Sequence, residues 1–164
     1  MSMIGNFVAI PPNQLAALVA DPDLISSVLY PEDGGVEPAN HLDIDKTWHA
    51  IHYTLNGKTW EGEEPLSLAI LGGEAIGEDV GYGPARYLDP SQVKAVAAAL
   101  SAITPETFGA KFDPTAMDAA EIYPQIWESD GPDGLEYVLH YYNQLTSFYQ
   151  AAAERGDAVL LYLN

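Results

Sequence analysis

From about Gly134 to Arg155 the chain carries one unbroken apolar stripe. Leu135, Val138, Leu139, Tyr142, Leu145, Phe148, Tyr149 and Ala152 recur at three- and four-residue spacing, which places them on one side of an α-helix. Gly156 supplies a left-handed stop. Ala158–Leu163 is then apolar without alternation, the pattern of a strand buried on both faces rather than on one. A long amphipathic helix that runs into a doubly buried strand predicts an α+β domain, with helices predominating around a small sheet and this last strand in its middle.

The other end of the chain supplies a neighbour for that strand. Met3–Ile10 mixes aromatic and β-branched residues and stops at Pro11-Pro12, so the sheet is expected to include both terminal strands. Leu15, Leu18 and Val19, then Leu24, Ile25, Val28 and Leu29, have helical spacing on either side of Asp21-Pro22. An acid or threonine followed by proline is a helix start with a mechanism: the side-chain oxygen accepts free N–H groups, and proline at the first helical position has no N–H to orphan. The same device recurs at Asp89-Pro90, Thr104-Pro105 and Asp113-Pro114. Tyr30 to Asn40 reads as a loop. A helix is expected from near Asp43 or Asp45, with Trp48, Ile51, His52 and Leu55 on its buried face and Asn56-Gly57 at its end. Trp60 to Tyr87, broken by six glycines, is expected to be irregular apart from a short helix over Leu66–Leu71, and such a segment in a small domain is often functional.

Residues 1–164 are read as one domain, since a chain of this length buries about 70% of its unfolded surface. Twenty-four acids against six bases give a formal net charge of −18. Nucleic acid and anionic membrane surfaces are therefore excluded as expected partners. No base precedes Lys46 and no apolar run approaches the roughly 18 residues of a membrane helix, so a cytoplasmic location is expected. With no cysteine, disulfides, thiol nucleophiles and cysteine-held metals are out of reach.

Several stretches carry a resemblance: Met3-Ile4-Gly5, His41-Leu42-Asp43-Ile44-Asp45-Lys46-Thr47-Trp48-His49, Gly81-Tyr82-Gly83-Pro84-Ala85-Arg86-Tyr87-Leu88, Ile122-Tyr123-Pro124 with Trp127, and Gly156-Asp157. In this order they resemble the YfbM-like family of bacterial domains of unknown function. The resemblance covers essentially the whole chain. It implies a single α+β domain in the bacterial cytoplasm and assigns no activity.

Chemistry must then be sought in side chains. His41, His49 and His52 with Asp43 and Asp45 would offer ligands of the right type for zinc, but no recognised ligand spacing is present. They are read as structural histidines, with no metal and no cofactor expected. Gly81-Tyr82-Gly83-Pro84-Ala85-Arg86 lacks the third glycine of a dinucleotide loop and the Lys-Ser/Thr of a P-loop. Arg86 is left with two readings: an ion pair with Glu74, Glu78 or Asp79 that pins the glycine-rich segment, or an anion clamp in a cleft with Tyr82, His49 and His52. No serine sits in a nucleophile elbow, and no residue is assigned as catalytic. Trp60 and Trp127 both adjoin acidic segments (Glu61, Glu63 and Glu64; Glu128, Asp130 and Asp133), as aromatic anchors inside an acidic rim would. Two functions follow. The favoured one is a non-enzymatic acidic module that captures a basic protein, as an immunity or inhibitor protein does, through Trp60, Glu61, Glu63, Glu64 and Trp127. The alternative is a small anionic-ligand or enzymatic site around Arg86, Tyr82, His49 and His52.

Overall fold

The computed structural model describes residues 2–31 and 40–164. The expected Tyr30–Asn40 loop lies largely outside them. Strand β1 (Gly5–Ile10) leads into α1 (Pro12–Ala20) and α2 (Ile25–Leu29), followed by β2 (His41–Asp43) and α3 (Trp48–Asn56). A hairpin of β3 (Glu74–Asp79) and β4 (Pro84–Leu88) precedes α4 (Pro90–Ser101), α5 (Pro105–Lys111), α6 (Pro114–Ala119), α7 (Trp127–Asp130) and α8 (Pro132–Arg155), and β5 (Ala158–Leu163) ends the chain.

The strands form one antiparallel sheet in the order β2-β1-β5-β4-β3. The last strand is therefore central, as its lack of alternation predicts, and it lies against the first, with Gly5 opposite Leu163 and Ile10 opposite Ala158. Both are covered on two sides. Phe7, Ala9, Val159 and Leu161 pack under α3, α4 and α8, while Val8, Ile10, Leu160 and Tyr162 pack against Leu15, Leu18, Ile25 and Leu29 of α1 and α2. On α8, Val138, Tyr142, Leu145, Tyr149 and Ala152 are buried, each large side chain contributing about 1.5–3 kcal/mol. Gly156 closes the helix in the left-handed region at φ +74°, and the Asp157 N–H reaches back to the Ala152 carbonyl at 2.9 Å.

The proline starts hold at three of four places. Asp89 and Gln92 form a reciprocal capping box at α4, Thr104 accepts from the Thr107 N–H at α5, and Asp113 accepts from the Ala116 N–H at α6. At Asp21-Pro22 there is only the 3-10 turn Pro22–Leu24, without a side-chain cap. The helix expected from Asp43 or Asp45 begins later: β2 occupies His41–Asp43, a 3-10 turn spans Asp45–Thr47, and α3 starts at Trp48. The segment 60–87 departs furthest from expectation, since it contains the β3–β4 hairpin. Along β3 only Ile76 is buried, so this edge strand has almost no apolar signature. The short helix expected over Leu66–Leu71 is a 3-10 turn at Leu66–Leu68. Among the described residues, no helix is long and apolar enough to cross a membrane.

Candidate functional site

At one end of the sheet four separate parts of the chain converge. The Met3 N–H donates to the Tyr123 hydroxyl at 2.9 Å, and the Trp48 indole N–H donates to the Met3 carbonyl at 2.9 Å. This ties the N-terminal segment, the start of α3 and the turn after α6 together. Two histidines of α3 then add a fourth part. His49 Nε2 contacts the Thr59 carbonyl at 3.0 Å while its Nδ1 accepts the Tyr123 N–H at 2.9 Å, which fixes the neutral Nε2–H tautomer. His52 Nε2 donates to the Glu61 carbonyl at 3.0 Å, and its Nδ1 faces the Asn56 amide at 3.4 Å. Burial lowers both pKa values below that of ordinary imidazole; the carbonyl bonds oppose it, and for His49 the proximity of His52 adds to the lowering.

The two histidines thus grip the carbonyls on either side of Trp60. Held in this way, the Trp60 ring stacks on His49 with centroids 4.5 Å apart, yet 61% of the residue remains exposed. His49 in turn stacks on Trp48 at 4.9 Å, and Trp48 on Tyr123 at 5.6 Å. With the Trp48 and Trp60 centroids themselves 6.5 Å apart, the rings form an aromatic cluster rather than a straight stack, and its outer member faces solvent.

Tyr82 reaches the same place from the β3–β4 turn. Asp79 Oδ1 accepts the Gly81 and Gly83 N–H groups at 2.7 and 3.3 Å, and the Tyr82 N–H donates to the Leu163 carbonyl at 3.1 Å. A Cβ at position 81 would lie 2.8 Å from the Asn164 Cα, so only glycine lets the turn rest on the end of β5. Trp60, Tyr82 and Leu163 separate two adjoining hollows. The larger, about 660 Å³, is walled by Trp60, Tyr82, Tyr123, Trp48 and Met3 and rimmed by Glu121 and Gln125. The smaller, about 360 Å³, has Leu71, Ala75 and Arg86 in its wall. Both fall within the range of ligand sites. Glu121 and Gln125 are left-handed non-glycine residues at φ +58° and +62°, a conformation that costs about 1–3 kcal/mol each and clusters at functional sites.

Of the sequence candidates, Trp60, Tyr82, His49 and Arg86 line this cleft; Glu61, Glu63 and Glu64 are exposed but outside its lining, and Glu63 lines a separate hollow with Lys58 and Asn56. His52 stands behind the cleft as a support for Glu61. Trp127 is not part of it. It is fully buried, its indole N–H donates to the Ile122 carbonyl at 3.0 Å, and Phe112 packs edge-on against it. The ion pair expected for Arg86 is absent among the described residues. Its Nη1 donates instead to the Gly72 carbonyl at 2.8 Å. The strand register gives the reason: Ala75 lies opposite Arg86, whereas Glu74 lies opposite Tyr87 and accepts its hydroxyl at 2.7 Å on the other face. Burial lowers the Arg86 pKa, and the adjacent Tyr149 opposes that shift. Tyr149 is itself buried with its phenol pKa raised, its hydroxyl donating to the Ala69 carbonyl at 2.6 Å.

The histidines do not assemble a ligand set either. His41 Nε2 contacts Asn6 Oδ1 at 2.7 Å, and no group of three His, Asp or Glu residues suited to a metal exists among the described residues. Met3, Glu121, Tyr123 and Gln125 went unassigned as site residues in the sequence; Met3 and Tyr123 stand out there only within the family-resembling stretches Met3-Ile4-Gly5 and Ile122-Tyr123-Pro124, and Glu121 and Gln125 flank the second.

Fold and cleft together define a small α+β domain with an aromatic-lined groove. The family model for a domain of unknown function, DUF1877, matches residues 1–162, and the chain belongs to that family. A solved protein of unknown function, YfbM from Escherichia coli, has the same fold, with a TM-score of 0.75 and 23% identity over 98% of this chain and 99% of that one. No curated protein matches the chain.

Proposed function

We propose that the chain is a non-enzymatic binding module of the bacterial cytoplasm that captures a basic protein at the Trp60 cleft, as an immunity or inhibitor protein does. The observation that carries this reading is the Trp60 ring, largely exposed yet fixed by two histidine-to-carbonyl bonds. Tryptophan is the most frequent energetic anchor of protein interfaces, and one that is already ordered loses little entropy on binding. Glu61, Glu63 and Glu64, exposed in the residues that follow it, in a chain of net charge −18, suit electrostatic steering of a cationic surface. Binding suits the histidines better than catalysis, because both ring nitrogens of each are engaged and neither offers a free base.

The test uses the intact chain as bait in bacterial cytoplasm, with the Trp60→Ala chain in parallel. A basic protein retained by the first and lost by the second is the expected result. Its association should slow as salt rises, because charges more than about 8 Å apart are screened at physiological ionic strength. An acidic partner, or an on-rate indifferent to salt, would sink the reading.

One observation favours a second reading, a small anion in the lesser hollow. Arg86 is a largely buried cation that meets a backbone carbonyl and, among the described residues, no carboxylate. A buried guanidinium without a counter-charge is costly, and a ligand carboxylate or phosphate would supply one. Titration with benzoate and inorganic phosphate, followed through the resonances of Ala75 and Gly83, should saturate for wild type and not for Arg86→Lys if this reading holds.

A further inference from the structure

The larger hollow has a composition that its neighbour lacks. Its walls include aromatic residues and Met3, Glu121 belongs to its lining, and among the described residues no lysine or arginine lines it. The titratable groups that face it are Glu121, Tyr82, Tyr123 and His49. His49 is held neutral, because a second ring proton would displace the Tyr123 N–H from Nδ1. A partly desolvated aromatic pocket with one acid attracts a cation, since the faces of Trp and Tyr rings carry negative quadrupole potential. The net charge of −18 adds to that attraction.

We propose that this hollow receives a single arginine side chain of the basic partner, its guanidinium lying on Trp60 and hydrogen-bonded to Glu121. Arginine fits better than lysine on two grounds. Its planar guanidinium stacks on a ring, and its paired N–H groups match a carboxylate. The rim is tied down by the Glu121 and Gln125 N–H groups, which donate to the Asp118 and Ile122 carbonyls at 3.1 and 2.9 Å. The assignment rests on the partner-capture reading for the source of the cation, while the chemistry of the pocket is testable without any partner.

The intact chain has three indole N–H groups, of which those of Trp48 and Trp127 are bonded to the Met3 and Ile122 carbonyls. Their NMR resonances are followed during titration with N-acetyl-arginine amide, N-acetyl-lysine amide, the neutral N-acetyl-citrulline amide and tetramethylammonium. The arginine probe should shift Trp60 saturably and leave Trp127 unmoved, with lysine weaker and citrulline without effect. Glu121→Gln should weaken the arginine probe by about tenfold, a loss typical of one charge-assisted contact. Both substituted side chains are exposed, so Trp60→Ala, which should abolish binding, and Glu121→Gln are expected to fold, and the unmoved Trp127 resonance verifies it. Equal binding of citrulline, or no saturable shift with arginine, overturns the proposal. Tighter binding of tetramethylammonium overturns it in favour of a free quaternary ammonium ligand. Saturable arginine binding by a chain that captures no basic protein would sink the capture reading and leave the pocket chemistry standing. Capture with an off-rate unchanged by Glu121→Gln would do the reverse.

Discussion

Trp60 and Trp127 each begin a Trp-Glu pair followed by further acids, yet one is 61% exposed and the other wholly buried. The acids are alike; what differs is where the backbone is fastened. At Trp127 the N–H groups of residues 127 and 128 donate to the Asp118 carboxylate, which turns the ring inward while Glu128 and Asp130 remain outside. At Trp60 the flanking carbonyls are taken by histidines from the core side, so the ring is left over the surface. Local composition places an aromatic beside acids, and distant hydrogen bonds decide which way it faces.

The contrast can be broken most directly by truncating both rings. Trp127→Ala should cost about 3–5 kcal/mol of stability, as large buried side chains do, measured as a lowered urea midpoint at unchanged slope. Arg86→Ala comes next. It leaves the Gly72 carbonyl without its partner, and the expected loss is about 1–3 kcal/mol. If the Arg86 variant retains wild-type stability, that hydrogen bond does not anchor the 72–73 turn.

A smaller effect should follow pH. The folded pKa values of His49 and His52 lie below the ordinary value of 6.5, so the unfolded chain binds protons that the folded chain refuses. Their contribution is complete above about pH 6.5 and is lost as the pH falls through the lowered folded values. Wild type should therefore lose more stability between about pH 7 and pH 5 than the double variant His49→Gln, His52→Gln. Equal losses would show that the grip on Trp60 is not what titrates. Least affected of all should be Trp60→Ala, at no more than about 1 kcal/mol, the worth of one aromatic stack. A cost as large as that of Trp127→Ala would erase the distinction between them.

What could be read from the sequence follows the same division. The helix α8 and strand β5 announce themselves because burial there is dictated by period, and the acid- or threonine-proline starts of α4, α5 and α6 by local chemistry. Strands β2 and β3 escape because three residues, or six with only Ile76 buried, carry no period to detect. In the cleft, Trp60, Tyr82, His49 and Arg86 were legible as unusual residues near flexible or acidic segments. Glu121 was not, and Met3 and Tyr123 stood out only in stretches that resemble the family, with no role attached, since they join the cleft through contacts as distant in sequence as Met3 to Tyr123. The partner of Arg86 was misjudged because strand register, invisible in a segment that looks irregular, sends Glu74 to the opposite face.

The position of β5 also governs the order in which the molecule can assemble. The pairs β2–β1 and β4–β3 meet only through this strand, so the sheet cannot close until β5 has docked between its two halves. Contacts of such long sequence separation form slowly. Leu163 belongs to both hollows and its carbonyl holds the Tyr82 N–H, so neither hollow exists before that event. The cleft is thereby coupled to the sheet: a molecule that has formed α8 but not inserted β5 has most of its helices and neither hollow.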